Sequence, residues 1–221
     1  MPLEIDENLF FRQATLAICG HLSIEKALQA SMALISQHIP ADELFLELYD
    51  WEFGVVRIVA IATPEEGRRT DLVVPMPTDA IAEAEGTSSF QAIIVNDDSQ
   101  NPMARSMNEA MGQAGASCLV LPLSLNYEFV GILVLVRSNA EPFVEEDARL
   151  IELVNEPFAI ALTNALRHDE VLKLKDLLAN DNQFLQEELR SISGEDIIGA
   201  RFGLRDVMDQ VAQVAPRDRP V

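Results

Sequence analysis

CLVLPLSL (118–125), NYEF (126–129) and VGILVLV (130–136) form the stretch on which the fold turns. Two long apolar runs, rich in Leu and Val, flank a short polar turn, which is the pattern of an antiparallel hairpin. A hairpin of this length needs further strands and a helical layer to bury its apolar residues.

The partners lie upstream. Leu44, Leu46 and Leu48 alternate with Phe45, Glu47 and Tyr49, which predicts a half-buried strand. After a turn near 50–54, VVRIVAIA (55–62) is β-branched and reads as a second strand. LVVPMP (72–77) is a short strand or an extended segment. Before these strands, Leu9, Phe10, Ala14, Ala17 and Ile18 recur at helical spacing, and Gly20 is placed to end that helix. Ser23 is the expected cap of a second helix burying Ile24, Ala27, Leu28, Ala30, Ala33 and Leu34, with Met32 a further candidate; Pro40 stops it. Between the strands and the hairpin come helix-like DAIAEAEG (79–86), an apolar strand over 92–95, and NDDSQNP (96–102). There Asn101 before Pro102 signals a helix start.

Downstream, residues 145–192 carry helical spacing almost without glycine. Leu150, Ile151, Val154, Phe158, Ala161, Leu162 and Ala165 make a stripe able to cover a sheet. Pro157 interrupts that stripe and is expected to kink the helix or remove one hydrogen bond. Beyond residue 168, Val171, Leu178, Leu185 and Ile192 recur every seven residues, with Lys175, Asn182 and Leu189 at the other seam position. That stripe most simply pairs with a second copy of itself, making a homodimer. The order of elements predicts an α+β fold: one antiparallel sheet flanked by helices, with a long C-terminal coiled-coil linker helix.

Composition narrows function. The formal net charge of −20 repels phosphate backbones and anionic lipid, so neither nucleic acid nor a membrane is an expected partner. Two separated cysteines, Cys19 and Cys118, suit neither a disulfide framework nor a zinc site. With no secretion signal and no apolar run of spanning length, a cytoplasmic protein is expected.

The segments IEKALQASMALISQHIPADELFLELYD (24–50) and 91–166 resemble GAF domains. The matching points are VNDDSQNP, SCLVLPL with VGILVLV, and F-x-EED-x-x-L-I from Phe143. NDNQFLQEELR (180–190) and DIIGARFGLRDVMDQVAQVAP (196–216) resemble the linker and first helix of sigma-54-dependent activators. The resemblance implies a sensory domain over 1–166, a coiled-coil signalling linker over 167–194, and the beginning of an AAA+ domain over 195–221. It further implies that the ATPase proper, with its phosphate loop, lies beyond this chain. Sigma-54 RNA polymerase and DNA would then be reached only through domains outside it. No catalytic residue is expected here, and no cofactor is indicated. A GAF-type enzyme or redox sensor, and a dimerisation domain without ligand, remain alternatives.

Candidate ligand-binding residues cluster over 90–118: Phe90, Met103, Arg105, Met107 and Cys118. Met103, Met107 and Met111 make one helix face, either core filling or an adaptable ligand wall. Arg105 lies off that face, as a solvated side chain or an anion clamp. Cys118 is a small apolar residue or a redox or metal ligand. Asp97 and Asp98 are explained by turn chemistry. Gly194 to Gly199 lacks the Lys and Ser or Thr of a phosphate loop, and His168 reads as an exposed linker histidine.

Overall fold

The computed structural model describes residues 6–79, 90–138, 142–193 and 203–214. The chain forms two units, Met1–His168 and Asp169–Val221. In the first, two helices, α1 (Glu7–Cys19) and α2 (Ile24–Ile35), precede strands β1 (Glu43–Asp50), β2 (Val55–Ala62) and β3 (Gly67–Pro75). Strand β4 (Ile93–Val95), helix α3 (Pro102–Ala110) and the hairpin β5 (Ser117–Leu125) and β6 (Glu128–Arg137) follow. Helices α4 (Glu145–Glu152) and α5 (Asn155–Ser193) come next. The six strands form one sheet in the order β3-β2-β1-β6-β5-β4, every neighbouring pair antiparallel.

The hairpin is tighter than NYEF suggested. Leu125 already pairs with Glu128, leaving Asn126 and Tyr127 as the whole turn. Both have positive φ, 53° and 66°, the geometry of a primed turn whose twist matches that of the strands. Asn tolerates this backbone well; Tyr does not.

One face of the sheet is covered by α1, α2, α4 and the first part of α5, which close a core with Leu44, Leu46, Leu119, Leu121, Leu133 and Leu135. The other face carries a second apolar layer: Phe45, Ile58, Val74, Cys118, Ile132 and Val134, with Ala104 and Met107 of α3. The half-buried strand expected at β1 is therefore a strand buried on both sides. Phe45 and Glu47 are each 3% exposed, because α3 folds over the face that the alternation assigned to solvent.

Other expectations shift by a fraction of a turn. The buried face of α2 is Ile24, Ala27, Leu28, Ser31, Met32 and Ile35, whereas Ala30, Ala33 and Leu34 are only partly buried. Ser23 stands at the cap position with extended backbone, but its hydroxyl makes no cap hydrogen bond. Leu9 is half exposed, and α1 buries Phe10, Ala14 and Ile18. The helical run from 145 is interrupted by a turn at Leu153 and Val154, and Pro157 falls in the first turn of α5. The amide it lacks is one that a helix start leaves without a partner, so Pro157 opens this helix and does not kink it.

Gly131 in β6 sets how closely α5 approaches. A Cβ there would lie 2.6 Å from Leu162 Cδ2 and 2.8 Å from the Glu47 carbonyl oxygen. At the other end of β6, Arg137 is 5% exposed, stacks over the Phe143 ring at 4.1 Å and pairs with Asp147 at 3.8 Å.

In the second unit α5 continues to Ser193, and a further helix, α6, spans Arg205–Val214. Val171, Leu178, Leu185 and Leu189 are each more than half exposed. The helix expected at 79–86 and the glycines at 194 and 199 fall largely or wholly outside the described residues. No helix of the described residues is long and apolar enough to cross a membrane.

Candidate functional site

The second face of the sheet does not close. Between it and α3 lies a cavity of about 330 Å³, within the range of small-molecule sites. Its floor is the sheet: Phe45, Glu47, Cys118, Val120, Pro122, Ile132 and Val134. Its cover comes from Phe90, Met103, Ala104, Met107 and Asn108, and Tyr49, Trp51 and Phe129 also line it.

The cover is held by turn and cap chemistry. Asn101 accepts from the Ala104 amide at 2.9 Å, and Pro102 opens α3, as the sequence signalled. Asp97 accepts from the Ser99 amide, and hydrogen bonds from Ser99 and Gln100 lower its pKa. Asp98 Oδ2 accepts from the Gly115 amide at 2.8 Å and from Asn108 Nδ2 at 3.0 Å. Asn108, only 2% exposed, also donates to the Ala116 carbonyl at 3.0 Å. This small network pins α3 to the start of β5.

Four of the five anticipated residues, Phe90, Met103, Met107 and Cys118, line the cavity. Arg105 does not; it is exposed, and its guanidinium donates to the Ser99 carbonyl oxygen. Helix geometry explains the split, since Ala104, Met107 and Asn108 share the inward face and Arg105 is rotated off it. Met111 packs beside the layer but is not a wall residue. The Cys118 thiol donates to Asn108 Oδ1 at 3.4 Å. Burial, with the nearby Glu47 as the second cause, pushes this thiol up to about 12, so it is neutral. Among the described residues no three His, Cys, Asp or Glu side chains converge as a metal site.

Glu47 escaped sequence reasoning. Its carboxyl faces the cavity and no described residue donates to it or pairs with it. Burial alone raises it to about 8, so the acid is mostly protonated at neutral pH. The signal available in the sequence was an acidic residue between two aromatic ones, Phe45 and Tyr49, on one side of a strand. The same burial, with the Glu47 charge as the second cause, raises the Tyr49 phenol.

The GAF domain family model matches residues 23–162. The chain belongs to the GAF domain family. As a GAF domain it is similar to the formate hydrogenlyase transcriptional activator of Salmonella typhimurium, at 29% identity over 138 residues, which are 60% of this chain and 20% of that protein. It is also similar to the DNA-binding transcriptional activator HyfR of Escherichia coli, at 32% identity over 106 residues, 48% of this chain and 16% of the relative. The matched GAF region thus spans about one fifth or less of these relatives. A solved GAF domain from a phosphoenolpyruvate-protein phosphotransferase of Coxiella burnetii superposes with a TM-score of 0.56 at 18% identity, covering 75% of this chain and 97% of that one. That likeness establishes the fold, and the cavity lies on the sheet of that fold.

Proposed function

We propose that residues 1–166 are the effector-binding domain of a transcriptional activator, and that the cavity under α3 is where a small molecule binds. The observation that carries this is the cavity itself. It is lined mainly by apolar side chains, with one inward polar group, the Glu47 carboxyl, that no described residue engages and that can orient a guest. The relatives with transcriptional roles support the regulatory part.

In the same proposal residues 167–194 form a dimeric signalling linker and residues 195–221 open an AAA+ domain acting on sigma-54 RNA polymerase. Support for the dimer is the exposed stripe of Val171, Leu178, Leu185 and Leu189 on α5. An effector shifts such a switch only by binding one of its two states more tightly.

The test is a thermal-shift screen of the 221-residue chain against small metabolites, repeated on Val134→Trp, which fills the cavity. Stabilisation of the parent and not of the filled variant is expected. Equal stabilisation of both moves the binding site elsewhere, and turnover of a bound compound replaces the sensor by an enzyme.

A further inference from the structure

We infer that the effector is a small organic cation, a protonated amine, whose nitrogen meets the Glu47 carboxyl and whose apolar body lies against Met107 and Val134. This rests on the cavity being the effector site. It adds the charge and the chemical class.

Glu47 is 3% exposed, lines the cavity and has no hydrogen bond or ion pair within the described chain. The carboxyl is buried within the chain and opens onto the cavity, so a guest can supply the partner that the described residues do not. The described lining contains no Lys, Arg or His. An anionic guest would therefore enter a site with no counter-charge and one carboxyl. The aromatic residues point the same way. Tyr49, Trp51 and Phe129 line the cavity with ring centroids 5.1 to 6.5 Å apart. Electron-rich ring faces attract ammonium groups, and they do so at partly exposed rings such as Trp51 and Phe129 too. The chain's net charge of −20 raises the local concentration of cations.

Proton balance gives the inference a signature. At neutral pH Glu47 holds its proton; pairing with an ammonium group converts it to the carboxylate and releases that proton to solvent. Amine affinity therefore rises with pH as pH approaches 8. Tyr49 on β1 and Cys118 on β5 share this face and stay neutral in that range. Of the acids on the same side, Glu43 of β1 accepts from Gln113, and Asp98 accepts from Gly115 and Asn108. The side chains opposite Glu47, Ile58 of β2 and Ile132 of β6, are apolar, as is Met107 of α3.

The experiment titrates the chain with benzylamine, benzyl alcohol and benzoate, three probes sharing one ring, while amide NMR shifts at Cys118 and Val134 are followed. Benzylamine is expected to bind on the order of tenfold more tightly than benzyl alcohol, with benzoate weakest. Its affinity should increase with pH. Glu47→Gln should remove the benzylamine advantage and the pH dependence, yet keep benzyl alcohol binding, which shows that the variant is folded. Equal binding of amine and alcohol, or tightest binding of benzoate, overturns the cation while leaving the cavity as the site. If none of the three shifts cavity resonances at millimolar concentration, the cavity assignment falls and the cation with it.

Discussion

The Asn155 side chain completes the hydrogen bonding of the sheet at Pro122. Its Nδ2 donates to the Pro122 carbonyl at 2.8 Å, and its Oδ1 accepts from the Ser124 amide at 3.0 Å. Between these two backbone groups β5 shifts register against β6. A bulge leaves strand groups unpaired, and here a side chain from the start of α5 takes them up. Pro122 is also cavity floor, so one residue joins that floor to the long helix.

Asn155→Ala should cost about 2 kcal/mol, because two partly buried backbone groups lose their partners. Chemical denaturation measures the loss. Amide hydrogen exchange at Ser124 should accelerate far more than at Leu121, in the regular part of the ladder. Uniform acceleration along β5 would show a general loosening instead of a local staple.

Glu47 predicts an inverted pH profile. Its folded value, about 8, lies above its ordinary value of 4.5, so the folded state holds the proton more tightly. The resulting stabilisation is complete below the unfolded value and is lost as pH rises from about 4.5 to about 8. The slope in that window is at most about 1.4 kcal/mol per pH unit. Glu47→Gln should flatten this loss and melt higher than the parent at alkaline pH. A parent and variant that lose stability in parallel would mean that Glu47 is solvated in solution.

The linker prediction concerns mass. Leu178 and Leu185 are 63% and 54% exposed on α5, and burying each in a partner is worth about 1.5–3 kcal/mol. The double variant Leu178→Asp with Leu185→Asp should sediment as a monomer while its GAF domain keeps its melting temperature. A dimer that persists would place the contact on another surface.

Tyr127 offers a stabilising change. Its φ of 66° is strained for a side chain with a Cβ, and it is 94% exposed, so the ring contributes little packing. Tyr127→Gly should raise stability by about 1 kcal/mol, or roughly 2–4 °C in melting temperature. A lower melting temperature would show that the ring packs in solution or that glycine's freedom in the unfolded chain outweighs the relief.

Local patterns made much of this domain legible before its structure. The hairpin announced itself through two long apolar runs, and α3 through Asn101 and Pro102. Met103 and Met107 on that helix and Cys118 on the hairpin are cavity residues that sequence position alone brings close together. The failures share one cause, tertiary contact. Alternation along β1 put Glu47 in water, and only the fold of α3 across the sheet reverses that. Arg105 was separable from Met107 by helical phase, yet which phase faced the sheet depended on the whole insert. Pro157 stands out in the sequence, but its meaning depends on whether a helix starts two residues before it.

Gly131 removes a layer of cushioning. Side chains packed between a helix and a sheet absorb small displacements by changing rotamer, whereas backbone cannot. Where β6 lacks a side chain, Leu162 of α5 lies close to the β6 backbone, with the carbonyl of Glu47 beside it. The contact is accordingly cushioned from one side only, by the Leu162 side chain. Gly131→Ala would add a Cβ 2.8 Å from the backbone carbonyl of Glu47, which cannot turn aside as Leu162 can, so the crowding falls on the pairing of β6 with β1.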